Sequence, residues 1–212
     1  MPKKRLQSVR QYKKQIVIAC EGEKTERNYL NRFKMLCELE NVVKVKLLPH
    51  EHTSAKELVE DVLRYKEAGN DELWIVCDKD GYTKHHEAFC TAKEKGVKIA
   101  FSSISFEYWL LLHFKYTAHS FTKSKDVEDY LKKMVYLPKY DKADENVFDK
   151  IKDKTQTAID NAKKLRKAAK TANYDNCKIY ELNPYTNVDE LLYAIESLRS
   201  EYQRNPAFLF KY

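Results

Sequence analysis

Apolar and polar positions along this chain recur in blocks whose period switches between two and about 3.6 residues. Residues 15–20 (QIVIAC) form a short β-branched run that stops at an acidic, glycine-containing turn, the pattern of a buried strand. From Thr25 to about Glu40, Tyr29, Leu30, Phe33, Leu36 and Cys37 or Leu39 fall on one helical face, and Thr25 is the expected N-cap. Val43, Val45 and Leu47 then alternate with Lys44 and Lys46, predicting a second strand over residues 42–48. Ser54 opens another helix and stands three residues before Glu57, the spacing of a capping box, with Gly69-Asn70 closing it. Residues 72–77 (ELWIVC) give the strongest strand pattern and run directly into Asp78. A helix over 83–95, ended by Gly96, and a strand over 97–101 complete an alternation of strands and helices. That order predicts an α/β fold with a mostly parallel sheet flanked by helices.

Beyond Ser105 the pattern becomes helical. Residues 106–114 are apolar nearly all round, which predicts a buried helix. Helices are expected over 123–137 and 153–172, separated by the polar stretch 138–146. Lys178 to Leu182 suggests a fifth strand, and Val188, Leu191, Leu192, Ile195 and Leu198 mark the apolar face of a last helix. The expected organisation is a basic tail over residues 1–14, then one α/β domain over 15–212 with a helical insertion around 115–175.

Composition narrows the class. The 212 residues include 43% hydrophobic and 33% charged positions but only 4 Gly and 5 Pro, which argues against a turn-rich sandwich and a long disordered linker. The longest apolar stretch, around 106–114, falls far short of the ~20 residues needed to span a bilayer, and the basic start lacks a secretory apolar run. No membrane association is expected, and the expected location is cytoplasmic. Five widely separated cysteines with no Cys-x-x-Cys pair make neither a disulfide framework nor a zinc site. Cys20 and Cys77 end apolar runs, where cysteine acts as a small buried hydrophobe.

The formal net charge of +7 is unevenly placed. Basic residues including Lys13 and Lys14 crowd the first fourteen positions, and a second cluster holds Lys163, Lys164, Arg166, Lys167 and Lys170. Together with Lys24 these are candidate nucleic-acid contacts, because clustered cations gain affinity for polyanions by releasing counterions. Solubility alone is the plainer alternative.

Chemistry concentrates at two strand ends. A strand running into Asp78-Lys79-Asp80 sends two carboxylates to one side while Lys79 points away. Such a pair is costly to bury without a cation, and Mg²⁺, with Mn²⁺ as an alternative, is the natural hard partner for oxygen ligands. Glu21 and Glu26 follow another strand, and functional groups of open α/β sheets gather beyond strand carboxyl ends. The Gly22-Glu23-Lys24-Thr25 stretch lacks the spacing of a phosphate-binding P-loop, and Glu23 would repel the phosphate. His50-Glu51-His52 and His85-His86 lack helical zinc spacing and are expected to be exposed loop histidines. His113 is expected to be a hydrogen-bonded, partly buried histidine, and Phe106 and Trp109 are expected in the core. The 15 tyrosines do not make a topoisomerase, whose covalent chemistry takes further domains, and no zinc module supports a primase.

The two acidic motifs resemble those of the TOPRIM superfamily of metal-dependent nucleases, primases and topoisomerases. More closely, IVIACEGEKTERNY, WIVCDKDG, SISFEYWLLLHF and NPYTNVDELL together resemble the RloB-like family of bacterial phage-defence proteins. The resemblance implies a TOPRIM-like (Rossmann-like) core with a helical annex, nuclease activity on DNA or RNA, and an ABC-type ATPase as partner protein. Glu21 would be the catalytic glutamate, as a metal ligand or general acid/base, and Asp78 and Asp80 the catalytic, metal-binding pair. Glu26 would match a second glutamate of OLD-type nucleases, and Glu107 in Ser105-Phe106-Glu107 a ligand for a second metal. Lys178 is one candidate for the late lysine that those nucleases place near the scissile phosphate. The same residues leave open a non-catalytic module that binds nucleic acid or a partner, a structural adaptor, and a homo-oligomer.

Overall fold

Parallel pairing of the apolar runs, with one short antiparallel strand added at the edge, builds a five-stranded sheet in the order β2-β1-β3-β4-β5. Its strands are β1 (Ile16–Cys20), β2 (Val43–Leu47), β3 (Glu72–Asp78), β4 (Lys98–Ser103) and β5 (Tyr185–Thr186). The computed structural model describes residues 15–38, 43–47, 54–66, 72–80, 84–133, 136–171 and 176–204. The basic tail with Lys13 and Lys14, His50-Glu51-His52 and Gly69-Asn70 lie outside the described residues.

Helices α1 (Thr25–Leu36), α2 (Ala55–Leu63) and α3 (His85–Lys95) connect the parallel strands. Strand alternation sorts the core onto both faces of the sheet. Ile16, Ile18, Cys20, Trp74 and Val76 face one side and Val17, Ala19, Leu73, Ile75 and Cys77 the other, where α2 and α3 cover them. This two-sided burial is why these runs read as continuously apolar. The capping box forms as spaced, with the Ser54 side chain receiving the Glu57 amide and Glu57 returning to the Ser54 amide. Gly96 ends α3 at φ 70°, a left-handed position that glycine adopts without a Cβ penalty.

The first face carries the thicker helical layer: α4 (Glu107–Leu112), α5 (Ser124–Lys133), α6 (Val147–Ile151), α7 (Thr155–Thr171) and α8 (Val188–Arg204). All of α4 is buried, with Trp109 at 0% exposure, and Phe106 just before it is at 1%. His113 Nδ1 donates to Trp109 O at 3.1 Å, and its Nε2 accepts from the Tyr29 hydroxyl at 3.2 Å. Burial lowers its pKa to about 4, so it is a neutral core residue at physiological pH.

Three expectations change. Helix α1 stops at Leu36, short of Glu40, with Glu38 at a φ of 58°. Residues expected as the fifth strand instead form the 3-10 turn Asn176–Glu181, and the strand that joins the sheet is β5, antiparallel to β4. His85-His86 opens α3 and is no exposed loop: His85 is buried against Phe101 and Tyr180, with its Nε2 3.3 Å from Lys79 O. Among the described residues no helix is long and apolar enough to cross a membrane.

Candidate active site at the ends of the first and third strands

The chain leaves β1 toward β2 on one side and returns through β3 on the other. This reversal opens a crevice beyond the carboxyl ends of β1 and β3, where open α/β sheets bind ligands. Glu21 follows β1 and Asp78 ends β3, so both acidic motifs meet there. A cavity of about 950 Å³ occupies the crevice, lined by Glu21, Glu26, Asp78, Asp80 and Glu107 among others.

Backbone pairing continues past the strands and holds both motifs. The Glu21 amide donates to Val76 O at 3.0 Å, extending the β1–β3 ladder by one residue. Lys79 and Asp80 amides donate to Ser102 O and Ile104 O at 3.0 and 3.2 Å, pinning the Asp78-Lys79-Asp80 turn along β4. As alternation requires, Asp78 and Asp80 both line the cavity while the Lys79 ammonium donates to Glu181 O, outside it.

Each carboxylate is placed by a different device. Glu21 Oε2 accepts the Asp78 amide at 3.2 Å. Glu26 is buried in the first turn of α1, and a Cβ built on Gly22 would overlap its carboxylate, so only glycine permits this approach. Thr25 does not cap α1 as its position suggested. It lies inside the helix, buried, with its hydroxyl 3.0 Å from the Tyr140 hydroxyl and 3.3 Å from Lys142 O. Glu107 is 2% exposed at the start of α4 and accepts from the Tyr140 hydroxyl at 2.7 Å. Asp80 is exposed and receives the Ser124 hydroxyl from the start of α5.

The electrostatics are those of crowded acids. Burial, reinforced by Glu26, Glu107 and Glu21 and opposed by a hydrogen bond with the Phe106 backbone, pushes the Asp78 carboxyl well above its ordinary range. Burial likewise raises Glu26 to about 7, helped by Glu107 and Glu21 and opposed by its own backbone amide and Lys142. Asp78 Oδ1 is enclosed with no hydrogen-bond partner. Lys142 partly offsets this charge, standing 3.6 Å from Glu107 Oε1 and 3.1 Å from Glu128 Oε1.

Sequence patterning did not point to Tyr140, Lys142 or Ser124. Tyr140 and Lys142 lie in a polar stretch without periodicity or motif, and only the fold carries them to the strand ends. The candidate late lysine, Lys178, instead pairs with Glu181 at 3.8 Å on the 3-10 turn. Lys24 lines the acidic cavity. Lys163, Lys164 and Lys167 are exposed on α7 and line no described part of it, with Lys164 over the Tyr116 ring at 4.2 Å. Arg166 is engaged inward: its guanidinium grips Asp189 at 2.5 and 2.7 Å and donates to Thr186 O at 2.9 Å.

The donor set is chemically suited to a hard divalent ion, being all carboxylate oxygen with one enclosed oxygen unsatisfied. Among the described residues, however, no three acidic, histidine or cysteine side chains converge on a single point. Glu21, Asp80 and Glu107 are each turned onto a protein group. Seating an ion would therefore draw at least some of them off these partners.

Comparison with protein-family sequence models returned a match over residues 16–195 to the family described as RloB-like protein. Neither the curated proteins nor the solved structures returned a match.

Proposed function

This chain belongs to the RloB-like protein family, and on that premise we propose that its acidic centre hydrolyses phosphodiester bonds of DNA or RNA with a divalent metal. The carrying observation is the enclosed, unsatisfied Asp78 Oδ1 at the strand-end crevice, surrounded by Glu21, Glu26 and Glu107. A carboxylate raised by burial and like charge is stabilised in its ionised form by an added cation. Asp78, Asp80, Glu21 and Glu26 would hold Mg²⁺ or Mn²⁺, and Glu107 would contribute toward a second ion. Bound there, the metal would polarise a phosphate oxygen and lower the pKa of water.

The chain's own groups have separate tasks. Gly22 leaves room for the Glu26 carboxylate, and the Glu21 carboxylate is fixed by the Asp78 amide. Tyr140 orients Glu107 by donating a hydrogen bond, and Lys142 supplies positive charge at the mouth of the same cavity. The proposed setting is bacterial anti-phage defence, with the chain as effector beside an ABC-type ATPase.

A second reading, a non-catalytic module that binds nucleic acid or a partner, draws on the engagement of Glu21, Asp80 and Glu107 with protein groups rather than with a common point. Purified protein decides between them. Cleavage of single- and double-stranded DNA and RNA is measured with Mg²⁺ or Mn²⁺, with and without the ATPase, for wild type and Asp78→Asn. Wild type cleaves, and Asp78→Asn loses about 10²-fold or more, at least what disturbing a ligand's support costs. Equal rates for the two proteins, or no cleavage under any condition, favour the binding module.

A further inference from the structure

A second groove of about 510 Å³ opens beside the acidic cavity, and Glu23 and Lys24 line both. One wall is a single face of α1, on which Lys24, Arg27, Asn28, Asn31, Arg32 and Met35 recur at three- and four-residue steps. The other wall includes Ala143 and Glu145, in the loop that carries Lys142 into the acidic cavity. Arg32 ties the walls together, donating to Asn146 Oδ1 at 2.8 Å and Glu145 O at 3.4 Å and facing Asp149 at 3.5 Å.

The two compartments differ in charge. The acidic cavity is lined by seven carboxylates against three lysines, whereas the groove has three cations against two acids. A polyanion is repelled by the first and needs cationic anchorage next to it. Lys24 and Arg27 supply that charge, Asn28 and Asn31 offer amides that both donate and accept, and Met35, 47% exposed, gives an apolar contact farther along the helix.

We propose that this α1 groove binds the single-stranded phosphodiester chain flanking the bond presented to the acidic centre. A groove of about 510 Å³ between one helix face and one loop is on the scale of a single strand rather than a duplex, and α1, 12 residues and ~18 Å long, spans several phosphates. The groove assignment rests on the nuclease reading for its purpose, but its binding is measurable without metal or turnover.

The test uses the full chain in EDTA with 5′-fluorescein-labelled oligothymidylate and oligouridylate, followed by fluorescence anisotropy across a salt series. Wild type binds at least one of the two, the pair separating DNA from RNA preference. Arg27→Gln weakens binding about three- to tenfold and lowers the salt slope by ~0.7, the single-strand value for one phosphate contact. Asn31→Ala weakens binding without changing the slope. The variant Lys95→Gln, exposed on α3 and lining neither cavity, leaves both quantities unchanged, and thermal melts of all variants match wild type. Absence of wild-type binding, normal binding by Arg27→Gln, or a loss confined to a Lys163→Gln/Lys164→Gln variant of α7 overturns the proposal. Loss of cleavage with binding intact would count against the metal centre alone, and cleavage with binding indifferent to α1 against the groove alone.

Discussion

Glu26 shows how much of this site depends on single atoms. Its carboxylate sits where a Cβ on residue 22 would stand, deep enough that burial and acidic neighbours lift its pKa from 4.5 to about 7. A carboxyl raised in the folded state binds more protons there than in the unfolded chain, so stability falls as pH climbs between those two values. Glu26→Gln removes that dependence while keeping the shape. In chelator, the variant and wild type should melt together near pH 4.5, and the variant should become the more stable toward pH 8, by at most about 3 kcal/mol. A difference constant with pH would contradict the burial argument. At this scale the sequence was informative where chemistry sits on a strand end, as for Glu21 and Asp78. It was silent on Tyr140 and Lys142, whose roles come from a loop brought in over more than a hundred residues of chain from Thr25.

Strand β5 illustrates the same limit for elements. Two residues cannot display a period, so no pattern announced it, while the apolar residues of 178–182 imitated a strand but fold as a 3-10 turn. What anchors the segment is a side chain. Asn187 Oδ1 accepts the Phe101 amide at 2.7 Å, its Nδ2 donates to Ile99 O at 2.9 Å, and its own amide donates to Phe101 O at 3.2 Å. The side-chain amide thus pairs with β4 as another strand's peptide would. The NPYTNVDE stretch is accordingly a structural clasp, with Asp189 locking Arg166 of α7. Asn187→Ala leaves a buried donor and acceptor of β4 unpaired and should cost about 2–4 kcal/mol. Asn187→Asp, which keeps the acceptor for Phe101, should fall between, as read by thermal or urea denaturation; an Ala variant as stable as wild type would refute the clasp. By contrast, the parallel strands and the Ser54–Glu57 box were legible because local pattern and tertiary role agree there.

For the whole molecule, the sheet buries both faces, and the acids of both motifs gather beyond the carboxyl ends of β1 and β3. Alternation made the α/β architecture legible, and strand ends made the crevice legible. The sequence could not show that the helical layer after residue 105 closes over that crevice, because Ser124, Tyr140 and Lys142 reach it only through the packing of α4, α5 and α6. A cation that binds the folded chain alone should stabilise the entire fold. At a hundredfold excess over its dissociation constant, Mg²⁺ would add about 2.7 kcal/mol, a rise of roughly 5–10 °C in melting temperature for a chain of this size. The shift should be present in wild type and largely absent in Asp78→Asn; identical shifts would place the ion elsewhere. The late position of the Asn187 clasp has a bearing on biosynthesis. A ribosome makes Glu21, Asp78 and Glu107 long before Asn187, so a chain interrupted in between would leave the Phe101 amide and the edge of β4 bare. Exposed edges invite pairing with other chains. Truncated chains of this protein should therefore end in aggregation or clearance, and it is with residues 183–190 in place that the β4 edge beside the acidic centre is covered.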